Sequence, residues 1–301
     1  MNAEIIQLFD NHVFNLSLGW RSLFPGGKPT IKFSRMFSED SAKAIKAQKF
    51  KELNGINYMS PATFAKKVAK LLGLDGDKLG TVCADSSEGC ENLCLGSESG
   101  QAAIRKEGEL NACMESRVRK THYFFTETQT YLTEVVFHIC KLAEKAARLG
   151  LAPCVRLNGA SDIPYERMKI NGFGNKTIFE IFPMIQFVDY TKILARLGKE
   201  PQNLSLTFSL SEKNAADARR AAELGYNVAV VFAEHLPAYY EIDGHKMPVI
   251  NGDEHDLRHT DPRRPGGYIV GLTPKGRKAK ADKSGFVVRD HLNLPALEIA
   301  A

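Results

Sequence analysis

From about residue 152 onward the chain repeats one texture: short apolar runs that end in polar clusters, several of them followed by a helical stretch. The runs are CVRLNGASD, IQFVDYTK, LSLTFSLSE, NVAVVFAEH, PVINGDEHD and GYIVGLTPK. Near-continuous apolar strands with helices between them are what a parallel sheet buried on both faces requires, because parallel neighbours need crossovers that cover the sheet. NAADARRAAELG, between LSLTFSLSE and NVAVVFAEH, suits such a crossover, being acidic near its start and ended by Gly225.

Counting a strand over TVCAD as the first gives about seven strands, close to the eight of a closed barrel. The expected fold is therefore α/β, a TIM-like (β/α) barrel, complete or partial, with an open doubly wound sheet as the alternative. Polar residues at the strand ends favour the barrel: Cys83, Asn158 and Asp162, Asp189 and Lys192, Ser209 and Ser211, Glu234 and His235, Asp253 and Asp256, then Thr273 and Lys275. A barrel gathers all those ends at one mouth.

Residues 1–75 read as a helical N-terminal extension and residues 76–301 as the barrel. Within the extension, SEDSAKAIKAQKFKEL opens on Ser38 followed by acids, and SPATFAKKVAKLLGLDG has Pro61 early and Gly73 late. A long helical region is expected over residues 107–150, broken near Thr126, with Tyr131, Val135, Ile139, Leu142 and Ala146 forming one buried face. NGFGNKT lacks the setting of a dinucleotide loop and reads as a turn before TIFEIF.

No stretch approaches the roughly 20 apolar residues of a membrane span, and MNAEIIQLFDNHVF lacks the basic and apolar regions of a secretory signal. A cytoplasmic protein without a membrane partner is expected. The net charge of +5 is concentrated in KAIKAQKFK and KGRKAKADK. With Phe50 as their single aromatic these runs read as solvated lysines before they read as a nucleic-acid contact.

The cysteines divide in two. Cys140 and Cys154 lie in apolar runs and read as small buried hydrophobes. Cys83, Cys90 and Cys94 crowd into VCADSSEGCENLCLG at C-x6-C-x3-C, among small and polar residues. Thiolates brought together resist ionisation unless a cation compensates them, so the triplet points to a metal centre. Structural zinc sites favour two close pairs, whereas an iron–sulfur cluster (4Fe-4S or 3Fe-4S) accepts three thiolates from one loop. Coincidence or a redox disulfide is the bland alternative. Cys113, in NACMESRVRKTHYFF, reads as a core thiol before it reads as a fourth ligand.

Two further stretches carry chemistry-bearing residues. NGDEHDLRHTDP packs Asp253, Glu254, His255, Asp256, His259 and Asp261 together, either for a divalent metal and acid–base work or as a solvated strand-end loop in which Arg258 neutralises carboxylates. GLTPKGRKAKADKSGF offers Lys275, Gly276 and Arg277 to an anion, or forms an exposed basic hairpin.

The cysteine loop together with RLNGASDI, FVDYTK, NGDEHDLRHTDP and GLTPKGRKAKADKSGF resembles a family of bacteriophage proteins, the gene-product-88-like proteins, over residues 60–288. The arrangement also resembles the radical S-adenosylmethionine enzymes, which are (β/α) barrels with three cysteines after the first strand. That pattern is normally C-x3-C-x2-C with an aromatic before the third cysteine. Here the spacing differs and Leu93 stands in the aromatic's place, which counts against S-adenosylmethionine as a cofactor.

The expectation is an iron–sulfur protein in the host cytoplasm whose cluster is held by Cys83, Cys90 and Cys94. Asn158, Asp162, Asp189, Lys192 and Lys275 would line the cofactor and ligand space, and a small molecule or a redox protein would be the partner. The alternative is a nucleic-acid-associated protein with a structural metal site.

Overall fold

The protein is described here from a computed structural model covering residues 19–40, 42–98, 100–103 and 109–297. The first eighteen residues, and the start of the helical region expected from residue 107, lie outside the described residues.

The elements that matter for the site follow in chain order. Helix α1 (Ala42–Gln48) leads into β1 (Glu52–Ile56), and α2 (Ala62–Ala69) precedes the cysteine loop, which contains the one-turn helix α3 (Glu88–Asn92). Two long helices follow, α4 (Ala112–Thr126) and α5 (Thr128–Arg148), and then β2 (Ala152–Arg156), β3 (Gln186–Thr191) and β4 (Leu204–Ser209). Helix α6 (Ala215–Glu223) crosses to β5 (Val228–Phe232). Strands β6 (Tyr239–Ile242), β7 (His245–Asn251) and β8 (Ile269–Leu272), helix α7 (Gly276–Lys280) and the short β9 (Val287–Val288) complete the chain.

The strands form one mostly parallel sheet in the order β1-β2-β3-β4-β5-β8-β7-β6, with β9 added against the end of β5. Among these strands β6 and β7 alone pair antiparallel. Their turn places Asp243 and Gly244 both at positive φ, the two-residue geometry whose twist matches that of the flanking strands. Among the described residues no pairing joins β1 to β6, so the observed architecture is a mixed α/β sheet.

Strand alternation gives the sheet two unlike faces. On one, Leu53, Val155, Phe187, Leu204, Leu206 and Phe208 share the main core with the stripe of α5 that carries Tyr131, Val135, Ile139, Leu142 and Ala146, all buried as their spacing predicts. Each large aliphatic side chain buried there contributes roughly 1.5–3 kcal/mol. On the other face, Cys154 and Val188 pack with Ala47 of α1 and Leu257. The expected break in the helical region falls at Glu127, between α4 and α5, and Asn111 caps α4 by accepting the amide of Met114.

Three expectations are corrected. TVCAD is not the first strand: Cys83 makes a single parallel bridge to Asp162. Thr81 explains why, since its hydroxyl accepts from the Cys83 amide and donates to the Cys83 carbonyl, a local turn that competes with a ladder. The first strand is instead β1, inside the stretch expected to be helical. Its sequence ELNGI has weak strand propensity, but Gly55 leaves room for Leu142 and Phe37, so tertiary packing selects the strand. The basic run after β8 is not a hairpin, because residues 276–280 form helix α7.

Candidate metal centre

The cysteine loop crosses the carboxyl ends of β2, β3 and β4, and it is held there by side chains from outside itself. Cys83 is anchored by its bridge, in which the Asp162 amide donates to the Val82 carbonyl at 2.7 Å. Ser87 caps α3 by accepting from the Cys90 amide, and its hydroxyl donates to Glu212 at 2.7 Å. The other oxygen of Glu212 accepts from the Gly89 amide at 2.9 Å. Gly89 has to be glycine, since a Cβ would lie 2.5 Å from the Ser284 hydroxyl and 2.8 Å from Phe286. At the far side, Arg117 of α4 stacks over Tyr58 and donates to the Gly96 carbonyl at 2.6 Å.

These anchors leave Cys83, Cys90 and Cys94 partly exposed and electrostatically coupled to one another. Burial, with the other two thiols adding to it, pushes Cys83 far above the ordinary thiol range. Cys94 is raised to about 11, chiefly by burial, while the Gly96 amide, which donates to its sulfur at 3.3 Å, opposes the shift. Lys192 also opposes it at both sulfurs, which puts that ammonium within electrostatic reach of the triplet. Without a cation Cys83 and Cys94 stay neutral thiols at pH 7; a metal that displaces their protons reverses this.

Beneath the loop lies a buried charge network. The Asp162 carboxylate accepts from the Lys192 amide at 2.8 Å and the Thr191 hydroxyl at 3.1 Å, and it pairs with Arg196 at 2.6 Å. Arg196 is fully buried, holds Glu166 through two bonds of 2.9 and 3.1 Å, and lies 3.5 Å from Asp189. Burial raises Asp189 to about 7 despite the Arg196 and Arg156 charges beside it. Lys192 extends to Ser209 at the end of β4 and lies over the Phe286 ring.

Of the residues expected at the mouth, the structure brings Cys83, Cys90, Cys94, Asp162 and Lys192 together. Asn158 and Asp189 sit one layer lower. The Asn158 amide donates to Asp189 and the Ile163 carbonyl and its oxygen accepts from Ser161 and the Ile163 amide, so its polar atoms are spent on the turn after β2. Lys275 is engaged elsewhere, by Asp253 at 3.0 Å and Thr273 at 2.8 Å. Cys113 lies in the first turn of α4, and its thiol is felt at Lys120. Cys140 and Cys154 are buried, as expected.

Sequence reasoning missed Arg196, Glu166, Glu212 and Arg117. Arg196 alone carried a signal, being a lone cation between Leu194 and Leu197 directly after a buried strand. The NGDEHDLRHTDP loop is dispersed into separate pairs: Asp256 with Arg156, Arg258 with Asp261, and His259 with Glu52.

The family model for gene product 88 matches residues 35–290, a span that takes in the cysteine loop, the charge network and eight complete strands plus β9. The chain belongs to the gene product 88 family. No curated protein and no solved structure matches it. In this family member no helix among the described residues is long and apolar enough to cross a membrane.

Proposed function

We propose that the protein binds an iron–sulfur cluster through Cys83, Cys90 and Cys94, over the carboxyl ends of the sheet, and uses it for electron transfer or for chemistry on a ligand in that mouth. The sheet is read as a complete or partial (β/α) barrel, and the setting as the host cytoplasm. One observation carries the reading: three thiols from one loop are coupled to each other and face a single lysine, Lys192, beside a bonded acid, Asp162.

The donor set fits such a group. A four-iron cluster on three thiolates leaves one iron without a cysteine, where a small molecule would bind, and in a three-iron cluster that iron is absent. Its net negative charge suits Lys192 and Arg117, and the Gly96 amide supplies the N–H to sulfur bond that tunes such centres. Asp162, Thr191 and Arg196 then keep Lys192 in place rather than touching the ligand. The basic run is a weaker base for nucleic-acid binding, since Lys275 and Lys278 are paired with Asp253 and Glu98.

Anaerobic purification with iron and sulfide analysis tests the proposal. The expected result is three to four irons per chain, on the cluster types that three thiolates hold, with absorption near about 400 nm. Single Cys83→Ser, Cys90→Ser and Cys94→Ser exchanges should each bleach that absorption. A colourless protein carrying stoichiometric zinc would overturn it, and salt-dependent retention on DNA by the triple-serine protein would favour the nucleic-acid alternative. Reductive cleavage of added S-adenosylmethionine would assign the cluster to radical chemistry, and its absence would leave electron transfer or chemistry on another ligand.

A further inference from the structure

The opposite end of the sheet holds a second group of metal-type side chains, unrelated to the cysteine loop. Glu52 opens β1, Cys154 lies in the middle of β2, and His259 lies in the single helical turn Arg258–Thr260. A carboxylate oxygen of Glu52, the Cys154 sulfur and a ring nitrogen of His259 all lie within 4.8 Å of one another. His259 Nε2 is 2.9 Å from Glu52 Oε1, and burial beside the Glu52 carboxylate pushes the Cys154 thiol well above the ordinary thiol range.

The surroundings point to a missing partner. Asn54 is fully buried, and neither its amide oxygen nor its nitrogen has a hydrogen-bond partner. It is paired with Cys154 in the ladder and lies two residues from Glu52, so all three side chains leave the sheet on the same face. Glu52 Oε2 and His259 Nδ1 are likewise buried without a partner. Native interiors rarely leave several polar atoms unmet among neighbouring side chains, and a bound ion or water is one reason when they do.

We propose that Glu52, Cys154 and His259 form a site for a divalent cation of the zinc class, with Asn54 supplying the polar contact beside the fourth position. Thiolate, imidazole and carboxylate are the three protein ligands zinc accepts, and one thiolate with one carboxylate neutralise its charge. Ligands held at about 2.0–2.3 Å around a tetrahedral ion stand roughly 3.3–3.8 Å apart, so small side-chain adjustments close the set. On binding, the Cys154 sulfur gives its proton to solvent and takes the metal in its place. The ion would then tie the edge strand β1 and its neighbour β2 to the segment around His259, more than a hundred residues away in sequence.

Cobalt(II), which reports thiolate ligation by colour, is the probe. It is titrated into the full chain carrying C83S, C90S and C94S, so that only this second site remains. One equivalent should bind with a thiolate-to-cobalt band in the near ultraviolet, and added zinc should displace it. C154A in the same background should abolish that band, and H259A should weaken cobalt binding at least about tenfold. Failure of the triple-serine protein to bind cobalt, or a band that survives C154A, would overturn the proposal. Should the triple-serine or C154A chain not fold, the zinc content of H259A in the otherwise natural chain decides: a loss of one equivalent supports the site, and an unchanged content overturns it. Iron and sulfide report only on the cysteine loop, so the two sites fail separately.

Discussion

At the carboxyl ends of β2 to β4, three thiols ride on a loop that makes only one bridge to the sheet and takes its shape from Glu212, Arg117, Asp162 and Arg196. At the other end, Cys154 lies inside β2, paired in a ladder and packed under Ala47 and Leu257. The first region is held by directed bonds between charged groups and the second by backbone pairing and volume. A region of the first kind fails when one charge is removed, because the partners left behind are buried and unpaired. A region of the second kind fails when a shape is changed.

Arg196→Met gives the sharpest break of that contrast. It strands Asp162, Glu166 and Asp189 without their shared cation, and urea unfolding should show a loss of about 3–5 kcal/mol. A loss below about 1 kcal/mol would mean that the mouth is held by something other than this ion. Leu257→Ala probes the other region. Removing a fully buried side chain from the small cluster around Cys154 should cost about 2–4 kcal/mol in the same assay, with the iron content of the mouth unchanged.

Glu212→Ala should cost less, about 1–2 kcal/mol, by leaving Ser87 and the Gly89 amide unpaired. Its main sign would be faster proteolysis within residues 84–96, while cleavage around residues 252–261 stays unchanged. The smallest effect concerns pH. Because Cys94 is raised to about 11 in the metal-free protein, its alkylation should be slow at pH 8 and quicken about tenfold per unit up to about pH 10. The sign for stability follows: a raised folded value favours the folded state below the ordinary thiol range near 9, and that contribution is lost as the pH rises through 11. Lys192→Met should slow the alkylation further, since the lysine is one of the charges holding Cys94 down.

Much of the sheet could be read from the chain because β2 to β5 carry their own signal, in short, largely apolar runs with polar ends. The hairpin of β6 and β7 was also written locally, in Asp243 and Gly244, but its first strand YYEI is half exposed and lacks an apolar run. Strand β1 was not legible at all, because Asn54 and Gly55 are poor strand residues whose positions are set by Cys154, Leu142 and Phe37. At the candidate metal centre the ligand types and the nearby Asp162 and Lys192 were visible as spacing and strand ends. Glu212 and Arg117 were not, since each reaches the site across a gap in sequence that no local pattern records, and Arg196 showed only as a lone cation between Leu194 and Leu197.

By itself the sequence determined the parallel strands, the long helix pair and the crowded thiols, because apolar runs, helical periodicity and close spacing act between near neighbours in the chain. The tertiary structure alone decided which charges meet. It joined Arg196 to three carboxylates, turned Asn158 inward to its own turn, assigned Lys275 to Asp253, and brought His259 to Glu52 and Cys154. Burial gives a charged side chain one set of partners, and those partners are brought within reach only when the sheet has formed.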